Sequence, residues 1–223
     1  RVLDENSRTL TLITNTLAKD KQISDELRGV KEVMKMRNLS NNIEDEVVDA
    51  LLSSVKEHYP KTSHRYYAIK AKVLGKEKLA FWDRNAPWPS DSDRLYEWEE
   101  AKQVVIEAYS DFSPKMAEIG QKFFDNPWID VPPRDGKRFG AFAHPAVSSV
   151  HPYLMLNYQG KIRDVMTLAH ELGHGVHQYL SADQGDILSG TPLTLAETAS
   201  VFAEQLTFRK LLAQMSKEDR IVI

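Results

Sequence analysis

The chain has 223 residues, 42% of them hydrophobic, and its 29 basic and 32 acidic side chains leave a formal charge of −3. This is the composition of a folded globular protein, and without long blocks of like charge it gives no electrostatic reason to expect nucleic acid or an anionic membrane as a partner. Cysteine is absent, which excludes a disulfide framework and a thiolate metal site, so a transition-metal centre must be built from His, Asp or Glu.

No apolar run reaches the roughly 18 residues that a membrane-spanning helix requires, and no charged-then-apolar leader opens the chain. A cytosolic protein is the expectation. The chain starts at Arg1 and stops at Ile223, just beyond a helical pattern, and reads as a piece of something longer.

Leu10, Ile13 and Leu17, then Ile43, Val47, Leu51 and Val55, recur at the three- and four-residue steps of amphipathic helices, and predict a helix–turn–helix. Similar periodicity covers 65–80 and 95–109, and the prolines of Asn85-Ala86-Pro87-Trp88-Pro89 place a loop between them. Residues 1–125 are therefore expected to be a helical part of the domain.

From Phe139 to Tyr158 the pattern changes to Phe, Val and Tyr among small residues, bounded by glycines and punctuated by Pro145 and Pro152. Two or three short strands are predicted, with the prolines at strand ends or on an edge. The charged cluster Arg134, Asp135, Lys137 and Arg138 ahead of them reads as a solvated loop. Helical period returns over 164–180, and a last helix is predicted to open at Thr191, with Pro192 in its first turn, and to run through Leu212.

The chemistry lies in the 164–180 helix. His170 and His174 stand four residues apart in His-Glu-Leu-Gly-His, so both imidazoles project from one side of the helix, at a spacing that suits a single Zn²⁺. Glu171 sits about 100° around the helix from His170, placed to take a proton from water rather than to ligate. The apolar stripe centred on Leu172 lies opposite the histidines, so the helix can pack with one face and present the other to a cleft. Gly173 and Gly175 each cost about 1 kcal/mol relative to Ala in a helix interior, which points to another backbone passing close by.

A catalytic zinc takes a third protein ligand and keeps one position open. A metzincin would have a third His where Leu180 stands, so that subclass is excluded. His177 would splay away from an ion held by the other two rings of a straight helix. Glu197 is the strongest choice, because a following helix could carry its carboxylate across, although it could instead form a capping box with Thr194. Glu204, two turns further on, would share its face and could orient a ligating His, or could simply be solvated.

These residues resemble the oligoendopeptidase F group within the thimet-oligopeptidase superfamily of zinc peptidases. The resemblance is carried by His-Glu-Leu-Gly-His-Gly-Val-His at 170–177, Glu197 with Glu204, the strand region from Gly140-Ala141-Phe142 to His151-Pro152-Tyr153 and Asn157-Tyr158, and Phe81-Trp82-Asp83-Arg84-Asn85-Ala86-Pro87. It covers most of the chain from about position 60 onward.

The resemblance implies a mostly α, zincin-like helical domain around a deep cleft with a small β-sheet at its border, and 126–223 as the zinc-binding core. It implies one Zn²⁺ held by His170, His174 and Glu197, Glu171 as general base, and cleavage of short peptides in the cytoplasm. It further implies that backbone at Gly140, Ala141 and Phe142 pairs with the peptide as an added strand. A peptidyl-dipeptidase with the same zinc site, or a helical binding module without turnover, are the alternatives. Members of the group also carry a later segment with His and Tyr side chains that polarise the scissile carbonyl, and this chain stops short of one. The isolated chain is therefore expected to bind zinc yet to cleave peptides at least about a hundredfold more slowly than a longer parent.

Overall fold

The computed structural model describes residues 2–88, 94–217 and 220, and its chain forms two compact units, 1–57 and 58–223. The first holds α1 (Val2–Glu5), α2 (Ser7–Leu27), α3 (Lys35–Ser40) and most of α4 (Asp45–His58). Leu10, Ile13 and Leu17 of α2 and Val47, Leu51 and Val55 of α4 make the expected helical stripes, yet all six are exposed. The join between α3 and α4 is polar: Asp45, in the first turn of α4, accepts from Asn38 Nδ2 at 2.8 Å and Lys35 Nζ at 2.7 Å. Those bonds hold the Asp45 carboxyl below its ordinary pKa, Asn38 contributing most.

The second unit begins with α5 (Ser63–Val73), which ends well before the expected Ala80. Gly75 adopts φ +66° and Lys76 N–H returns to the Ala71 carbonyl at 2.8 Å, the closing bond of a Schellman cap. Phe81–Asn85 forms a 3₁₀ turn, closed where Ala80 N–H and Lys76 Nζ both donate to Asp83. The expected loop follows it, except that Pro89 lies outside the described residues.

Helices α6 (Trp98–Phe112) and α7 (Pro114–Asp125) meet at Ser113, whose side chain caps α7 ahead of Pro114 in its first turn. Three short strands follow: β1 (Ile129–Asp130), β2 (Phe142–His144) and β3 (Tyr153–Met155). β3 is central, parallel to β1 and antiparallel to β2, so β2 is an edge strand of this sheet. The last two strands fall within the expected 139–158 region; β1 lies ahead of it.

The predicted solvated cluster is organised around β1. Arg134 makes a two-pronged pair with Asp130, and the Lys137 side chain, only 2% exposed, lies against the Asp130 carboxylate and the carbonyls of Asp130 and Pro132. Lys137 thus closes the loop after β1 instead of extending into water.

Helix α8 (Ile162–Ser181) carries the paired histidines, and α10 (Leu193–Gln214) carries Glu197; a 3₁₀ turn (Ala182–Gln184) and short α9 (Gly185–Leu188) connect them. Pro192 precedes the first turn of α10 as its N-cap, with extended backbone, rather than standing within that turn. The start of α8 is fastened twice: Asp164 accepts from the Gln159 and Lys161 N–H groups, and Gly160 O accepts from Tyr96 N–H at 2.8 Å. Val165, Leu168, Ala169, Leu172 and Val176 of α8 are buried with Tyr109 of α6, Ile119 and Phe123 of α7, and Leu154 of β3 in one core.

The seam between α8 and α10 requires Gly173. A Cβ there would stand 2.6 Å from Ala203 Cβ and 3.0 Å from both Ala199 O and Ser200 Cα. At Gly175 the close neighbour is instead the Phe123 ring, 2.8 Å from the same construction. Gly173→Ala is accordingly expected to destabilise by roughly 1–2 kcal/mol, because overpacking outweighs the helix-propensity gain. Gly190→Ala, with nothing within 4 Å of the new methyl, should stay within about 0.5 kcal/mol of the parent. Urea denaturation of both variants checks the contrast; a stabilised Gly173→Ala would mean that the seam yields.

Candidate metal centre

The buried stripe of α10 (Ser200, Ala203, Thr207 and Leu211) turns toward α8, and Glu197 and Glu204 flank it at helical spacing. Because α10 lies so close at Gly173, the Glu197 carboxylate reaches the two imidazoles. His170 Nε2 and His174 Nε2 are 3.2 Å apart, and Glu197 Oε2 stands 3.3 Å from the first and 3.5 Å from the second. One donor atom from each residue therefore closes a nearly equilateral triangle, and among the described residues it is the group of this kind able to hold a metal ion.

The His170 ring is also held from behind. His170 Nδ1 makes a short hydrogen bond to Glu204 Oε1, which directs the Nε2 lone pair at the triangle. Burial lowers the His174 pKa, an effect opposed by the Glu197 carboxylate, and so favours the neutral ring that ligation requires. Glu171 is buried next to His170; burial pushes its carboxyl above the usual carboxylate range, His170 opposes that, and Glu197 and Glu204 add to it.

A cavity of about 550 Å³ opens beside the triangle, lined by His170, Glu171 and Glu204 and, across from them, by Gly140, Ala141 and Asn157. Of the three expected substrate-binding residues, Gly140 and Ala141 therefore face the centre. The Phe142 side chain turns to the other face of the sheet, toward Trp128 and Tyr153. Leu154 and Leu156 donate their N–H groups to β1 and the segment around it, so Tyr153 and Met155 bond to β2. Alternation along the strand then leaves the peptide groups of Ala141 and Ala143 directed to the outer edge.

Three further residues shape the site without a role assigned to them from the sequence, Asn157 entering there only among the residues that carry the resemblance. Asn157 Nδ2 donates to the carbonyls of Arg138 and Gly140 and fixes the approach to β2. Tyr109, fully buried on α6, donates to the Ala169 carbonyl at 2.8 Å, one residue before His170. Ser200 donates to Glu197 Oε2 at 2.8 Å. Its position three residues after Glu197 was the one signal available beforehand. His177 contributes no atom to the triangle.

An α8 bearing His-Glu-x-x-His, a carboxylate delivered from α10 and an edge strand beside them define a zincin-type architecture. Residues 3–221 match Peptidase family M3, and the chain belongs to that family. It is 29% identical over 209 residues to the oligopeptidase PepF of Bacillus subtilis (strain 168), a match covering 93% of this chain and 31% of the relative. It is 28% identical over 209 residues to the chromosomal oligoendopeptidase F of Lactococcus lactis subsp. cremoris, covering 93% of this chain and 34% of that one. A solved Bacillus anthracis str. Ames chain assigned as an oligoendopeptidase F shares the fold with a TM-score of 0.80 at 21% identity, over 98% of this chain and 41% of its own. The chain thus spans about a third of the length of the curated relatives it matches.

The Glu204 contact has a direct readout. In metal-free protein the neutral His170 ring is expected as the Nδ1–H tautomer, and Glu204→Ala should shift that ring toward Nε2–H. Long-range nitrogen–proton NMR distinguishes the two; an unchanged tautomer would remove Glu204 from this role.

Proposed function

We propose that this chain carries the zinc centre of a metallopeptidase that hydrolyses short oligopeptides in the cytoplasm, with His170, His174 and Glu197 as ligands and Glu171 as general base. The observation that carries this reading is the triangle. Donors about 2.0–2.1 Å from a tetrahedral ion lie about 3.4 Å from one another. The separations of 3.2, 3.3 and 3.5 Å bracket that value. Two imidazoles and one carboxylate are also the donor set that leaves zinc an open position, and zinc bound there supplies Lewis acidity and activates water near neutral pH.

The chain's own groups account for the rest. Glu171 lines the cavity next to the ligands, where it takes the proton of the attacking water and passes it to the departing amine. A purely structural zinc site would have no use for a carboxylate at that position. Glu204 keeps the His170 ring turned toward the triangle. The peptide lies along the segment formed by Gly140, Ala141 and Phe142, bonding as an added strand to the outward peptide groups of Ala141 and Ala143. The names of the relatives, oligopeptidase and oligoendopeptidase, support short peptides as the substrate class.

The test is metal analysis together with hydrolysis of a fluorogenic oligopeptide by the intact protein. One equivalent of zinc is expected, with Glu197→Ala lowering occupancy severely. Glu171→Gln should retain zinc and lose roughly 10²–10⁴ in kcat. Tight stoichiometric zinc in Glu197→Ala would refute the third ligand, and full turnover by Glu171→Gln would refute the general base.

A further inference from the structure

Glu197 is the least constrained member of the triangle. Both histidines sit on a packed helix with side chains 25% and 13% exposed, and Glu204 tethers the His170 ring, whereas the Glu197 side chain is 53% exposed and projects from the first turns of α10. A long carboxylate side chain in that setting samples many rotamers, and holding it in one carries an entropic cost. The histidine Nε2 atoms stand 3.3 and 3.5 Å from Glu197 Oε2, too far to hold it as closely as a good hydrogen bond would.

The shortest contact to that oxygen comes from the Ser200 hydroxyl. Its Oγ lies 2.8 Å from Glu197 Oε2, the same atom that completes the triangle, and 3.1 Å from the Glu197 carbonyl. The hydroxyl carries one proton and serves one of these acceptors at a time: the longer contact is the local back-bond that serines commonly make within helices, and the shorter one, to the carboxylate oxygen, is the better placed. Ser200 is also fully buried at the closest point of the two helices, where its Cα lies 3.0 Å from a Cβ built on Gly173. The seam that forbids a side chain at Gly173 therefore fixes the hydroxyl, and the hydroxyl fixes the carboxylate.

We propose that Ser200 is a positioning residue for the metal centre: it donates to Glu197 Oε2 and sets that oxygen at the apex of the triangle before the ion arrives. This rests on the zinc-centre reading given above. Oε2 keeps a lone pair for the ion while accepting from Ser200, so the bond can persist in the loaded site, and neither step requires a change of protonation. Contacts of this kind behind a ligand are commonly worth 10–100-fold in metal affinity.

The experiment is a zinc titration of the intact protein against a chromogenic chelator, on the parent, Ser200→Ala, Glu197→Ala and the double variant, with metal-free melting temperatures for all four. Ser200→Ala is expected to raise the zinc Kd by about 10–100-fold. Glu197→Ala should raise it further, and the double variant should match Glu197→Ala, because a hydroxyl that acts through Glu197 has nothing left to act on. A parent-like Kd in Ser200→Ala overturns the proposal, as does a double variant weaker than Glu197→Ala by the full Ser200→Ala factor. A fall in metal-free melting temperature with zinc affinity retained assigns Ser200 a packing role alone and also overturns it. If melting temperature and affinity fall together, the double variant decides by the same comparison. A parent that binds no zinc, or a Glu197→Ala that binds it like the parent, is a distinct result that brings down the zinc-centre reading and this proposal with it.

Discussion

The near-contact of α8 and α10 at Gly173 is the constraint on which the rest of the site depends. Carboxylate and imidazole side chains have fixed reach, so three donors on two helices meet at one point only when the helix axes are held at the right separation. Gly173 permits that separation, and Ala199, Ser200 and Ala203 on the facing helix are small enough to accept it. The opposite side of α8 is held by Tyr109, Phe123 and Leu154, so the helix is positioned from both directions. A Cβ at Gly173 would disturb the packing and the geometry of the triangle together, which makes this residue a determinant of both the seam and the site.

The electrostatics of the site follow from that geometry. Glu171, Glu197 and Glu204 bring three carboxylates around two imidazoles, and Glu171 is among the few buried charged side chains of the chain. Like charges gathered this closely in a partly dry pocket are unfavourable unless something positive joins them. Each carboxylate is nevertheless engaged differently: Glu204 with a ring nitrogen, Glu197 with a hydroxyl, and Glu171 with the cavity. One residue type thereby occupies three distinct environments within two helices.

How far the sequence could anticipate this varied with the range of the interactions involved. The helix bearing His170 and His174 was foreseen at 164–180 and spans Ile162–Ser181, because its periodicity is local and strong. Glu197 could be reached by elimination, and Glu204 by its offset along the same face. Helix α5 stops short of the periodic stretch because Gly75 caps it, and apolar periodicity carries no information about that stop. β1 could not be foreseen: its two residues pair in parallel with a strand more than twenty positions away, which leaves no periodic trace. The burial of Lys137 is illegible for a related reason, since it depends on Asp130 and two carbonyls that only the folded loop assembles. The exposed stripes on α2 and α4 show the converse, a pattern that identified helices without identifying what their apolar faces meet.

The shortness of β2 has a consequence of its own. An open sheet edge is a template for any extended chain, and long flat edges invite one folded molecule to pair with another. This edge is three residues long, with Gly140 at φ +88° close before it and Pro145 and Ala146, the latter at φ +58°, directly after it. Backbone turned that sharply on both sides cannot extend the ladder. A slender, flexible chain can still reach the few outward peptide groups, whereas the rigid border of another protein's sheet cannot align with enough of them to stay. The same brevity that makes β2 hard to read in the sequence therefore makes its edge a poor template for pairing with another folded sheet.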